Sequence, residues 1–183
     1  MKTFFIYFLS VCLSSCISIK EKERVNAIPY NINVEKELEM IYNDLLNAGV
    51  DTIVIFYKGC SGCISNINKM GYVIWNDSNS FYVKKVDSNN KYYDPVKTID
   101  SFSYFFTNEK QIREEKLVFP EMEFLHYHYS KLMLKYPKGV FTKEVSESQR
   151  LLKENENKKI VIWISKIESA LFNIERSDLI WNR

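Results

Sequence analysis

The chain has 183 residues, a formal net charge of +2 and a pI near 8.2, with 46% hydrophobic and 26% charged residues. That balance describes a globular chain rather than a disordered one, of a size that one ordinary domain accounts for. Lysine, arginine, aspartate and glutamate are interspersed without a block of like charge, so the clustered basic face of a nucleic-acid binder is missing.

The N-terminus carries the clearest signal. Lys2 precedes a short apolar run, Thr3 to Val11, which ends in Leu13-Ser14-Ser15-Cys16. The run is shorter than the roughly 20 residues a permanent transmembrane helix needs, but it has the length of a cleaved export signal. Its ending resembles the lipobox of bacterial lipoproteins, in which a leucine and two small residues precede a cysteine. The resemblance implies a signal peptide at 1–15 and lipidation of Cys16, with palmitate-type acyl chains anchoring the mature protein to a membrane of the bacterial cell envelope. The alternating charges of Lys20 to Arg24 then mark a tether over 16–30, and a single domain follows over 31–183. No second apolar run approaches spanning length, so the remainder is expected to be soluble.

Asn33 is placed to cap a helix whose first turn carries Glu35 and Glu37, where the helix dipole favours negative charge. Val34, Leu38, Ile41, Tyr42, Leu45 and Leu46 recur at spacings of three and four, and Gly49 suits the left-handed position beyond the end. A helix is predicted over 34–48. Thr52 to Tyr57 is a β-branched and aromatic run that predicts a buried strand, leading into a tight loop at Gly59 to Cys63. Tyr72–Trp75 and Phe81–Val86 predict a hairpin around Asn76–Ser80, and a further short strand is expected near 91–93.

Ser101–Phe106 reads as another strand, and Glu109–Lys116 as a short polar helix or exposed connection. Over 121–136, Pro120 at a helix N-terminus, acidic residues in the first turn and the stripe Leu125, Tyr129, Leu132, Met133, Tyr136 predict a helix. Ser146 with Gln149 is a capping-box pair for a polar helix to about Asn155. Lys159–Ile164 is predicted as a late strand, with one more short helix in the last fifteen residues. Hairpins without a βαβ rhythm predict a single α+β domain with a mainly antiparallel sheet and packed helices.

Cys60 and Cys63 are the place where chemistry is expected, and three readings compete. Two exported thiols three residues apart, with Ser61-Gly62 between them, are expected to close a local disulfide. Alternatively, the helix, strand and Cys-x-x-Cys over 34–63 resemble the start of a thioredoxin fold. That resemblance implies a thiol-disulfide oxidoreductase in which Cys60 attacks and Cys63 resolves. The chain departs from the pattern after Cys63, where Ile64–Met70 is too short for the long helix that follows the motif. In the third reading, Cys60 and Cys63 with His126 and His128 form a zinc tetrahedron. This needs an extended chain at 126–128, and the predicted helix opposes it.

Gly-x-Ser-x-Gly, His-Glu-x-x-His and phosphate-binding glycine loops are absent from the sequence. The expectation is a lipid-anchored, non-catalytic binding or interaction module without cofactor or metal. Its partners are a membrane and an unspecified protein or small molecule.

Overall fold

A computed structural model of the chain describes residues 33–61, 69–77, 80–87, 95–98, 100–120 and 127–177. In chain order the elements are helix α1 (Val34–Asn47), strands β1 (Ile53–Ser61), β2 (Met70–Asp77), β3 (Ser80–Asp87) and β4 (Val96–Thr98), helix α2 (Ser103–Glu114), strands β5 (Tyr127–Tyr136) and β6 (Gly139–Ser146), and helices α3 (Glu147–Leu151) and α4 (Lys159–Ser177). All lie within the unit Ile32–Arg183. The six strands form one sheet in the order β4-β3-β2-β1-β5-β6, every neighbouring pair antiparallel. The protein is therefore an α+β domain with an antiparallel sheet and packed helices.

Side chains alternate across a strand, so β1 divides its apolar residues between two faces. Val54 and Phe56 join β2 Tyr72 and Ile74 and β5 Leu132 and Leu134, under the helices α2 and α4. Ile53 and Tyr57 point the other way and join Val73, Trp75 and Val86 under α1. Helix α1 forms as its sequence dictates. Asn33 Oδ1 accepts from the Lys36 amide at 3.2 Å, Val34, Leu38 and Ile41 are buried, and Gly49 turns the chain at φ 84°.

The predicted hairpin is present, with a tighter connection than expected. Asp77 pairs with Ser80, which leaves two residues in the loop rather than four or five. The strand expected near 91–93 lies outside the described residues, and β4 follows at 96–98.

Three segments differ from their sequence reading. Ser101–Phe106 does not form a strand. Asp100 accepts from the amides of Phe102 (2.8 Å) and Ser103 (3.0 Å), starting a helix that buries Phe102, Phe105 and Ile112 on one side. Residues 127–136 are a strand rather than the end of a helix. Ser130, Leu132, Leu134 and Tyr136 are buried at a period of two, and β5 is paired on both sides. It turns through Pro137 and Lys138 into β6, with Gly139 at φ 139°. Lys159–Ile164 opens the 19-residue helix α4, whose buried Ile160, Trp163, Ile164, Ile167 and Leu171 follow helical spacing. Leu38 and Ile41 of α1 share a core with Ile53, whereas Ile164 belongs to the opposite core.

Polar contacts fix the helices in place. Ser146 and Gln149 form the predicted capping box, and a 3-10 turn continues to Asn155. The fully buried Asn155 amide donates to the carbonyls of Val118 and Gln149 and accepts from the Val118 amide, all within 2.9 Å. Trp163 Nε1 donates to the Ser101 carbonyl at 2.8 Å. Two carboxylates seven residues apart bind α4 to the sheet. Glu168 meets Lys58 of β1 at 3.1 Å and the Arg150 guanidinium through both oxygens, and Glu175 accepts from Tyr72 at 2.6 Å and Lys85 at 2.8 Å.

Burial by itself raises the pKa of Glu168, but the Arg150 hydrogen bonds and the charge of Lys58 outweigh it and leave the carboxyl below its usual range. A folded-state pKa below the unfolded one gives stability that is present above the unfolded value, about 4.3, and is lost as pH falls through the folded value. Glu168→Gln is therefore expected to be less stable than wild type at pH 7, with the gap closing toward pH 3. Urea midpoints at pH 7, 5, 4 and 3 check this, and a gap independent of pH would refute it.

Candidate functional site

The sequence-derived candidates fare unevenly. Cys16, Cys63 and His126 lie outside the described residues. Cys60 is inside β1, whose last residue is Ser61, rather than in a loop. Its partner across the ladder is His128 of β5, which is exposed, and antiparallel opposites share a face. The thioredoxin resemblance implies a helix start at the first cysteine, whereas Cys60 occupies a strand and is paired there with β5. Among the described residues no group of three or more His, Cys, Asp and Glu is arranged to hold a metal ion.

Gly59 was expected to give a turn its freedom and instead gives space to two aromatic rings. A Cβ at this strand position would lie 2.6 Å from Tyr129 Cζ and 2.7 Å from Tyr57 Cε1. The two tyrosines, with centroids 6.1 Å apart, close over the glycine and lie on the α1 face of the sheet. Gly71 plays a similar part on β2, where a Cβ would fall 2.3 Å from Leu38 Cδ1, so α1 sits close on the sheet there.

Helix α1 covers β1 to β3 and stops short of β5 and β6. Lys131, Met133 and Lys135 of β5 and Val140, Thr142 and Glu144 of β6 occupy the remaining part of that face, all at least partly exposed. At the border between the covered and open halves lies a cleft of about 370 Å³. Its floor is Leu38, Ile55 and Met133, with Tyr42 and Tyr57 as aromatic walls. Glu35, Glu39 and Asn43 of α1 form one rim and Lys131 of β5 the other. A cleft with an apolar floor and a few convergent polar groups is the usual form of a small-ligand site.

Tyr57 is the unusual group in it. The residue is only 4% exposed, and its hydroxyl is buried without a hydrogen-bond partner among the described residues. Burial pushes the phenol pKa well above its ordinary value, and the neighbouring Tyr129 and Glu35 push it further. Tyr57 is therefore a neutral phenol able to donate and accept one hydrogen bond each.

A larger depression of about 550 Å³ lies between residues 113–120 and the β6–α3 corner. Its acidic and basic groups are interleaved: Arg113, Lys116 and Lys143 with Glu114, Glu115 and Glu144. Its lining contains none of the buried unpartnered polar atoms, which are Tyr57 Oη, Asn76 Oδ1 and Ser101 Oγ, and it adjoins 121–126, outside the described residues. The α1 cleft is the better candidate.

Sequence reasoning assigned Ile55 and Tyr57 to a buried strand and Leu38 and Tyr42 to a helix face, without bringing them together. The run Thr52–Tyr57 contains a single polar-tipped aromatic, which was the available signal. Comparison with family models, with curated proteins and with solved structures finds no match for this chain.

Gly59→Ala is expected to cost about 1–3 kcal/mol, because the two rings must move to admit the methyl group. Combining it with Tyr129→Ala should recover part of the loss, giving a non-additive double-mutant cycle in urea denaturation. Strict additivity would show that the rings do not enforce the glycine.

Proposed function

We propose that this chain is a lipid-anchored protein of the bacterial cell envelope, held by Cys16, whose domain acts as a non-catalytic binding module. The anchor is supported by the sequence Leu13-Ser14-Ser15-Cys16 after a short apolar run. Durable attachment requires two or more acyl chains, since one chain binds a membrane only marginally. Among the described residues no helix is long and apolar enough to cross a membrane. Tethering by a lipid is a separate matter from spanning.

The observation that favours a binding role is the α1 cleft, where an apolar floor meets a rim of a few polar groups. The rival reading is a thiol-disulfide oxidoreductase using Cys60 and Cys63. A reactive cysteine draws its low pKa from a helix N-terminus or adjacent cations. Cys60 stands inside a strand rather than at a helix N-terminus, which favours a structural Cys60–Cys63 disulfide instead.

Cys16→Ser should move the protein from the membrane fraction to the soluble fraction or block its processing. A variant that is cleaved normally and stays membrane-bound would overturn the anchor.

For the cysteine pair, intact mass after denaturing alkylation should show Cys60 and Cys63 joined. The double serine variant should fold with a loss of no more than about 2 kcal/mol, the chain-entropy value for so short a loop. Two free thiols in protein from an oxidising compartment, or Cys60-dependent exchange with a dithiol substrate, would favour the oxidoreductase.

A further inference from the structure

We infer that strand β6 is an association edge, at which two copies of this chain pair antiparallel about a two-fold axis through Thr142. The inference goes beyond the binding-module reading and depends neither on the anchor nor on the α1 cleft.

The sheet has two edges of unlike build. Strand β4 is three residues long, which blunts one edge, whereas β6 runs for eight residues in unbroken register with β5. The two-residue turn Pro137-Lys138 makes Tyr136 and Gly139 the hydrogen-bonded pair that closes the hairpin. Alternation along the ladder then turns the backbone groups of Gly139, Phe141, Lys143 and Val145 toward β5. Those of Val140, Thr142, Glu144 and Ser146 point outward. Ser146 verifies the phase, because its amide leaves the sheet and donates to Gln149 Oε1 at 3.0 Å. Val140, Thr142 and Glu144 are exposed, and their outward amides and carbonyls meet no hydrogen-bond partner among the described residues. An open edge of this length is a template for another strand.

The sequence of β6 selects a second copy of itself. A two-fold axis perpendicular to the sheet keeps each face on its own side, so outward residues pair only with outward residues. An axis through Thr142 sets Thr142 against Thr142, and Val140 against Glu144 in both directions. Every outward group of the three residues then gains a partner in both copies. On the opposite face Lys143 lies across from Phe141. Moving the axis to Lys143 would oppose two lysines, and like charges directly opposite are destabilising. Moving it to Phe141 would place Glu144 across from Lys138, beyond the end of the ladder. Lysine commonly guards an edge against pairing. Here it excludes a shifted register and leaves the Thr142-centred one open.

The depression of about 550 Å³ is lined by Lys143 and Glu144, whose side chains leave β6 on opposite faces, so it opens at the outer edge. The second copy's Pro137-Lys138 turn passes that end of the strand and meets open space there. The pairing joins two six-stranded sheets into one.

The test is sedimentation equilibrium of the purified full chain in density-matched detergent, over a wide range of concentration. The wild type should show a reversible monomer–dimer equilibrium. Thr142→Lys, at an exposed position, sets two lysines against each other across the axis and should weaken the dimer by about fivefold or more. Thr142→Pro should be monomeric yet folded, because the amide it removes points away from β5, where an edge tolerates proline. Thr142→Cys should give a disulfide-linked dimer on mild oxidation, since hydrogen-bonded pairs hold their Cα atoms about 5.5 Å apart, within reach of the bond. Lys131→Cys, exposed on the same face but on β5, should not.

A wild-type chain that stays monomeric overturns the pairing and leaves the edge to a strand of some other protein. Unchanged dimerisation in both Thr142→Lys and Thr142→Pro overturns it as well, by placing the contact elsewhere. Cross-linking of Lys131→Cys as readily as Thr142→Cys has the same force.

Discussion

Strand β1 is the element on which the rest of the molecule depends. It is central, paired with β2 over Ile53–Lys58 and with β5 along its whole length, and four of its first five side chains are buried outright, on alternating faces. Neither of its faces is soluble uncovered, so the fold must supply a layer on each side. Helices α2 and α4 provide one layer over Val54 and Phe56, and α1 provides the other over Ile53 and Tyr57. Burying a side chain of this size stabilises by about 1.5–3 kcal/mol, which is why the whole arrangement organises around the strand. The anchoring carboxylates of α4 come second, since pairs at a partly exposed surface contribute little by comparison.

How legible this was depended on how each element is solvated. Helix α1 was readable because one side faces water, so its apolar residues recur at helical spacing and its ends carry Asn33 and Gly49. Helix α4 is buried along much of its length, and Ile160-Val161-Ile162-Trp163-Ile164 therefore looks like a strand in a six-residue window. Ile167 and Leu171, one and two turns further on, carry the helical period that the short window omitted. In β5 the buried Ser130, Leu132, Leu134 and Tyr136 alternate with Lys131, Met133 and Lys135. The same residues also satisfy a three-four stripe, and pairing with β1 and β6 decides between them. At 101–106 a local interaction won: Asp100 captures two amides and starts a helix where aromatic content predicts a strand.

The candidate site was harder to read, because it is made by what does not meet. Cys60 stood out in sequence as half of a motif, yet its surroundings are a strand ladder with His128 opposite. Leu38, Ile55, Tyr57 and Met133 stood out in nothing but their hydrophobicity, and they come from three elements distant in sequence. Their meeting place follows from helix α1 being too narrow for a six-stranded sheet. One helix, about 10 Å across, covers two or three strands spaced 4.8 Å apart, so among the described residues half of that face is left without a helix.

The uncovered half is kept soluble by its own side chains. Lys131, Lys135, Thr142 and Glu144 place charge and hydroxyl groups where a covered sheet would place aliphatic ones. The border between the two regimes is where an apolar floor must give way to polar walls, and the cleft occupies that border. A fold under pressure for stability alone would fill such a border, and Phe at position 57 would do so without burying a hydroxyl. The sequence instead keeps Tyr57 there and glycine at position 59, where any Cβ would collide with the Tyr57 and Tyr129 rings. Tyr57 in place of Phe gives up stability for a polar group, a local departure from the most stable choice of the kind expected to gather at functional sites, while Gly59 is what the two rings require.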